Sequence, residues 1–197
     1  MKEIALHILD IAENSIAAGA SRIGISVHET DRLLRFSITD NGCGMDRAMR
    51  EQLTDPFFTT RTTRRVGMGI PLLQQHTEMT GGGITIRPAG EKGMVVEAVF
   101  RRGHPDLQPL GDLEGCWLLL ASSNPEIEWS LECMTTLGRF AISNREIMEV
   151  LEVDHVGGNE LTAQVKELIR HNLELIQLGR ELMENKLDRI NFIGPVK

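Results

Sequence analysis

Ile38-Thr39-Asp40-Asn41-Gly42-Cys43-Gly44-Met45-Asp46 is the stretch on which the fold turns. It continues the apolar, partly alternating run Leu33-Leu34-Arg35-Phe36-Ser37-Ile38, which predicts a buried strand. The strand ends on a carboxylate, Asp40, and two glycines spaced by one residue follow. Glycine tolerates positive φ and has no Cβ, so the backbone can turn tightly here and let a ligand come close. A carboxylate fixed beside such a turn suits a flat heterocycle with an exocyclic amine. Adenine offers that donor, and guanine offers a carbonyl oxygen in its place. The same residues also suit a plain Asn-Gly or Asp-Gly turn with no ligand. The neighbouring blocks decide between the two.

Upstream, residues 3–18 predict a helix with apolar Ile4, Leu6, Ile8, Leu9, Ile11 and Ile16, stopped by Gly19. Asp10 and Asn14 are four apart and share one of its faces. Arg22 to Glu29 alternates as a strand and forms a hairpin with the strand ending at Asp40. Downstream, Asp46 to Leu53 predicts a short helix. Asp55-Pro56-Phe57-Phe58-Thr59-Thr60-Arg61 follows, then Arg64-Arg65-Val66-Gly67-Met68-Gly69-Ile70. This second Gly-x-Gly opens a helix from Pro71 to Thr80, with Pro71 early, where a missing N–H is harmless. A glycine-rich turn feeding a helix N-terminus is a ready anion site, and Arg61, Arg64 and Arg65 add positive charge beside it. Alone, the arginines would equally suit a solvated loop. Gly81-Gly82-Gly83 ends the helix, and strands at 84–87 and 94–100 flank a Gly90–Gly93 turn. The pattern is α+β, with sheet on one side and helices on the other.

The chain has 197 residues, 41% apolar and 25% charged, enough for one sizeable domain and a small appendage. A net charge of −7 argues against a general nucleic-acid binder. Cys43, Cys116 and Cys133 are odd in number and lack metal-ligand spacing, which predicts free thiols in a reducing compartment. The start lacks a signal-peptide core, and the longest apolar run, near Cys116 to Ala121, is too short to span a bilayer. The expected setting is cytoplasmic, with no membrane contact.

After His104-Pro105 the character changes. Residues 104–115 read as a Pro- and Gly-containing linker, and 116–197 as a smaller α+β region. Cys116 to Ala121, Glu126 to Cys133 and Gly138 to Ile142 read as strands. Ser143-Asn144-Arg145-Glu146 is a capping box opening a helix to about Glu152. Asn159 can cap a long helix to about Leu187, with a stripe of Leu161, Val165, Leu168, Leu175, Ile176, Leu182 and Met183. The stripe suits a core, and its length leaves room for a partner or a second copy in a homodimer. His104, His155 and His171 are scattered and predict no metal site.

Residues 3–101 together resemble the GHKL superfamily of ATP-binding domains, which includes gyrase, Hsp90, histidine kinases and MutL. Four motifs occur in order. Ile8 to Ala20 with Asn14 looks like the N box, and Asp40 to Met45 like the first glycine box. Asp55 to Arg61 and Gly67 to Ile70 look like the phenylalanine box and second glycine box flanking the lid of histidine kinases. Gly90 and Gly93 look like the last glycine motif. The resemblance implies a Bergerat-type α/β sandwich over residues 1–103, a mixed sheet with helices on one face and a mobile ATP lid at about 57–69.

Carried over by position, the resemblance has Asp40 accept the adenine amine and Asn14 offer its amide oxygen to Mg²⁺. Gly42, Gly44, Met45, Phe58, Thr60, Arg61, Gly67, Met68, Gly69, Ile70 and Met94 complete the ATP site. Asp10 sits where hydrolytic members carry a glutamate, one methylene longer, that activates water. Glu13 faces elsewhere on the helix. Met94 stands where the family usually places a threonine. No phosphoacceptor-histidine helix pair precedes the N box, so the chain is not expected to be a complete histidine kinase, and His7 is expected to be structural. At finer grain, Leu6 to Ile11 with Asn14-Ser15, Asp55 to Arg64, and Pro109 to Asp112 look like stand-alone ATP-binding proteins encoded beside iron-hydrogenase subunits in anaerobic bacteria.

The resemblance implies a Mg²⁺-ATP-binding regulatory protein that transfers phosphate to a partner protein or controls its conformation. The alternatives are a slow ATPase clamp with Asp10 as base and a non-catalytic nucleotide sensor. A MutL-like repair role shares Glu13-Asn14-Ser15 and Ala18-Gly19-Ala20, but the acidic balance and the kinase-like lid count against it.

Overall fold

Helix α1 (Ile4–Ala17) is capped from a distance: Ile4 and Ala5 donate their N–H groups to the carbonyls of Pro109 and Leu110, at 3.0 and 2.8 Å. These are among the first four helix donors, which have no intrahelical partner. The stretch read as a linker is therefore packed on the first helix. The computed structural model describes residues 2–45 and 69–179. The expected helix at 46–53, the lid with Phe58, Thr60, Arg61, Arg64 and Arg65, the glycine-box residues Gly67 and Met68, and the continuation through Leu182 and Met183 to Leu187 lie outside the described residues.

Strands β1 (Arg22–Glu29) and β2 (Leu33–Asp40) form the expected antiparallel hairpin, with Ile25 opposite Ile38 and Ile23 opposite Asp40. Helix α2 (Gly69–Met79) leads to β3 (Gly83–Pro88) and β4 (Met94–Arg101), and β4 pairs with both β2 and β3. Alternation puts Ile25, Val27, Phe36, Ile38, Ala98 and Phe100 on one buried face. The other face is polar, with a Ser26–Ser37 hydrogen bond of 2.9 Å and an Arg35–Glu97 pair.

One element of the second half is of a different type from the one expected. Cys116 to Ala121, read as a strand, belongs to helix α3 (Leu113–Ser123). A continuous apolar run does not separate a buried strand from a helix buried on most sides. What decides here is the start, where Gly115 donates its N–H to the Asp112 carboxylate at 2.9 Å, an N-cap. Strands β5 (Glu128–Met134) and β6 (Arg139–Ser143) follow. They do not form a sheet of their own. β5 lies parallel to β1, with Trp129 beside Ile23, giving one six-stranded sheet in the order β3-β4-β2-β1-β5-β6.

Helices α1, α2 and α3 pack on the apolar face, and α4 (Asn144–Leu151) packs on β5 and β6. Ser143 caps α4 at the position the capping-box motif marks: Glu146 donates its N–H to Ser143 Oγ, which donates in turn to the Glu146 carboxylate. Helix α5 (Asn159–Leu175) lies over α3 through Val165, Ile169 and Leu173, with Lys166–Asp112 and Arg170–Glu114 pairs at its edge. It stops twelve residues short of Leu187. Gln177 takes positive φ, and the chain tucks in, with Thr135 Oγ1 donating to the Ile176 carbonyl and Gly179 N–H to the Glu29 carboxylate. Glu29 also pairs with Arg102 at 2.7 Å, both side chains nearly buried. Among the described residues no helix is long and apolar enough to cross a membrane.

Candidate functional site

Asp40 is the last residue of β2 and is buried. Its Oδ1 accepts from the Gly42 N–H at 2.9 Å and the Met94 N–H at 3.2 Å, and its Oδ2 accepts from the Ser15 hydroxyl at 2.8 Å. Three elements thus converge on one carboxylate: α1 through Ser15, the turn after β2 through Gly42, and the start of β4 through Met94. Each carboxylate oxygen has two lone-pair directions, so Oδ2 retains capacity for one further donor.

The glycines of the turn fit a close-packed backbone. A β-carbon at Gly42 would lie 2.9 Å from the Ala18 carbonyl oxygen. Cys43 donates its N–H to that same carbonyl, tying the turn to the end of α1. Gly93 has φ +82° and rests on the Asp40 carbonyl, where a β-carbon would overlap it. Gly44 packs against Gly93, whereas Gly90 faces open space. Asn41 turns away from the carboxylate. Its Oδ1 accepts the N–H groups of Ser21 and Arg22, at 2.9 and 2.8 Å, and so holds the start of β1.

Asp10 and Asn14 lie on α1, about 6 Å apart along its axis, and both are half-buried. The Asp10 carboxylate abuts Gly69, the first residue of α2, so closely that a β-carbon there would overlap Asp10 Oδ2. The position expected to activate water and the helix N-terminus expected to receive an anion are therefore neighbours. Ile70 and Met94 are buried, and Met45 is half-buried. Among the described residues no group of three or more His, Cys, Asp or Glu could hold a metal ion. A magnesium site here would draw on the Asn14 amide oxygen and on phosphate oxygens, which suits an ion that keeps few protein ligands.

Two site features carry no mark in the sequence. Ser15 is a small polar residue next to Asn14, and only the fold puts its hydroxyl on Asp40. The other is a pair of imidazoles. His7 is fully buried on α1, and its Nε2 shares a hydrogen bond of 2.8 Å with Nδ1 of His76 on α2, the rings edge to face. Burial, and then His76, push His7 down to about 4, and the Gln108 side chain on the same ring works in the opposite direction. Burial lowers His76 as well.

The thiols do not enter the site's chemistry as a set. Cys43 is exposed, Cys116 half-buried and Cys133 buried, all unpaired. Burial pushes Cys133 up to about 12, which leaves it an inert core thiol.

A family model described as histidine kinase-, DNA gyrase B- and HSP90-like ATPase matches residues 2–104. The sensor protein kinase FleS of Pseudomonas aeruginosa is 45% identical over 58 residues, 28% of this chain. The signal transduction histidine-protein kinase AtoS of Escherichia coli is 34% identical over 87 residues, 44% of this chain. Each match takes in only 14% of the relative's own length. Among solved structures, the N-terminal domain of a DNA repair protein superposes with a TM-score of 0.51 at 16% identity, covering 72% of this chain and 52% of that one. At that identity the likeness speaks for the fold.

Proposed function

The chain belongs to the histidine kinase-, DNA gyrase B- and HSP90-like ATPase family, and we propose that it is a Mg²⁺-ATP-binding regulatory protein that transfers phosphate to a partner protein or controls its conformation. One observation carries the reading: the buried Asp40 carboxylate accepts from three donors and keeps lone-pair capacity for a fourth. An adenine amine fills that place, and a guanine carbonyl oxygen would be repelled from it. Gly42, Gly44, Met45 and Met94 form the base's side of the site. Asn14 holds the magnesium ion, which when bound offsets the negative charge of the phosphates. The start of α2, with Gly69 and Ile70, receives phosphate oxygens on backbone N–H groups.

Asp10 acts on the nucleophile. In hydrolysis the water oxygen bonds to the γ-phosphorus as its bond to the β–γ bridging oxygen breaks. The water proton passes to Asp10, and ADP leaves with the electron pair. In transfer, a side chain of the partner takes the place of water. The contact of Asp10 with Gly69 favours turnover over a sensor that only binds. Residues 1–103 form the nucleotide-binding part and 116–197 the surface for a partner or a second copy. A hydrogenase-related partner rests on the motif strings quoted above, and a cytoplasmic setting on the three unpaired thiols.

Calorimetry on the whole chain tests the reading. MgATP should bind and MgGTP should not, and Asp40→Asn should weaken MgATP by about tenfold or more, the loss of a charged acceptor. Asp10→Asn should keep binding and abolish phosphate release. Absence of heat with any adenine nucleotide plus magnesium would overturn the assignment.

A further inference from the structure

We propose that His7 and His76 are positioning residues for the nucleotide site, a strut that fixes how far along α1 the helix α2 sits, and hence how Gly69 meets Asp10. The inference rests on the ATP-site reading above. Helices α1 and α2 pack against each other, with Leu73 and Ile70 of α2 buried in the shared core. Apolar contacts of that kind hold two helices together but resist sliding weakly. A single hydrogen bond between ring nitrogens at 2.8 Å has one correct register.

The strut stands about 10 Å from Gly69 along α2, and about 5 Å from Asp10 along α1. A helix is stiff over two turns, so a slide of α2 at His76 arrives undiminished at Gly69. There the tolerance is small, because the Asp10 carboxylate already occupies the space a β-carbon would need. The pair is also an unusual choice for a buried contact. His7 is fully buried, and two apolar side chains of similar size would fill the space without desolvating imidazole. A polar pair buried at such a cost suits a role in register rather than in holding the helices together.

The test compares His76→Leu with His76→Asn in the whole chain. Asn offers a donor or an acceptor where Nδ1 stands, so it can restore the bond with either tautomer of His7. His76→Leu should keep a cooperative melt yet weaken MgATP binding about fivefold or more, the factor one hydrogen bond represents. His76→Asn should recover most of that loss. Equal MgATP affinity in wild type and His76→Leu overturns the proposal, and so does His76→Asn binding as weakly as His76→Leu. A second readout uses no nucleotide. Amide hydrogen exchange over residues 73–78, whose N–H groups bond within α2, should be faster in His76→Leu and restored in His76→Asn, and unchanged protection in His76→Leu overturns the strut. The exchange effect in His76→Leu, together with no heat from MgATP in wild type, overturns the ATP reading and leaves the strut standing.

Discussion

Gly93 rests on the main-chain carbonyl of Asp40, in a left-handed conformation that a side chain would strain. The contact sets the entry of β4 beside β2 and aims the Met94 N–H at the Asp40 carboxylate. Gly93→Ala therefore combines backbone strain with overlap, and should cost about 2 kcal/mol or more. Gly90→Ala, in open space three residues earlier, should stay within about 0.5 kcal/mol. Urea denaturation of the two variants checks the contrast.

Ser15 gives Asp40 Oδ2 its only hydroxyl donor among the described residues. Ser15→Ala should lower stability by about 1 kcal/mol and leave the carboxylate less well held. MgATP affinity measured by calorimetry should fall severalfold, and Ser15→Thr should restore part of it.

Stability should depend on pH through His7. Its folded value, about 4, lies below the usual 6.5 because burial, and then His76, disfavour the charged ring. Between those values the unfolded chain binds more protons than the folded one, so stability rises with pH across the window. Acidification from 6.5 toward 4 should therefore remove up to about 3 kcal/mol. His7→Gln should flatten this part of the profile, as read from chemical denaturation at stepped pH.

The Glu29–Arg102 pair is nearly buried, and Glu29 also receives the Gly179 N–H. Arg102→Met would leave a buried carboxylate without its cation, and should cost about 3–5 kcal/mol. Protection of the Gly179 amide in hydrogen exchange should fall with it.

Removing everything after Gly103 takes away β5, the neighbour of β1, and the α3 surface that packs on α1. Trp117 and Trp129, both fully buried, leave with it. Residues 1–103 alone should therefore lack a cooperative melt, as followed by circular dichroism.

Local pattern made the first half legible. The apolar face of α1, the β1–β2 hairpin, the Asp40 turn and the β3–β4 pair all follow from periodicity and glycine placement. The partner of β5 does not, because alternation identifies a strand without saying which edge it joins. α3 was hidden by its own burial: Cys116 to Ala121 has no polar stripe to set a helical period, and only Asp112 marks the start. At the site, Asp40 ends its strand and Asp10 and Gly69 open onto each other, whereas Ser15 and the imidazole pair exist only through contacts between elements distant in sequence. Gly90 and Gly93 look alike as letters and differ in what lies above them.

The pairing of Arg22 with Glu128 joins residues 106 positions apart. On the ribosome, β1 and β2 emerge long before the strand that completes them, so the nascent first half carries an unsatisfied hydrogen-bonding edge while synthesis continues. Long-range closure of this kind is slow. The interval before β5 arrives is thus when the chain is most exposed to aggregation and most dependent on chaperones.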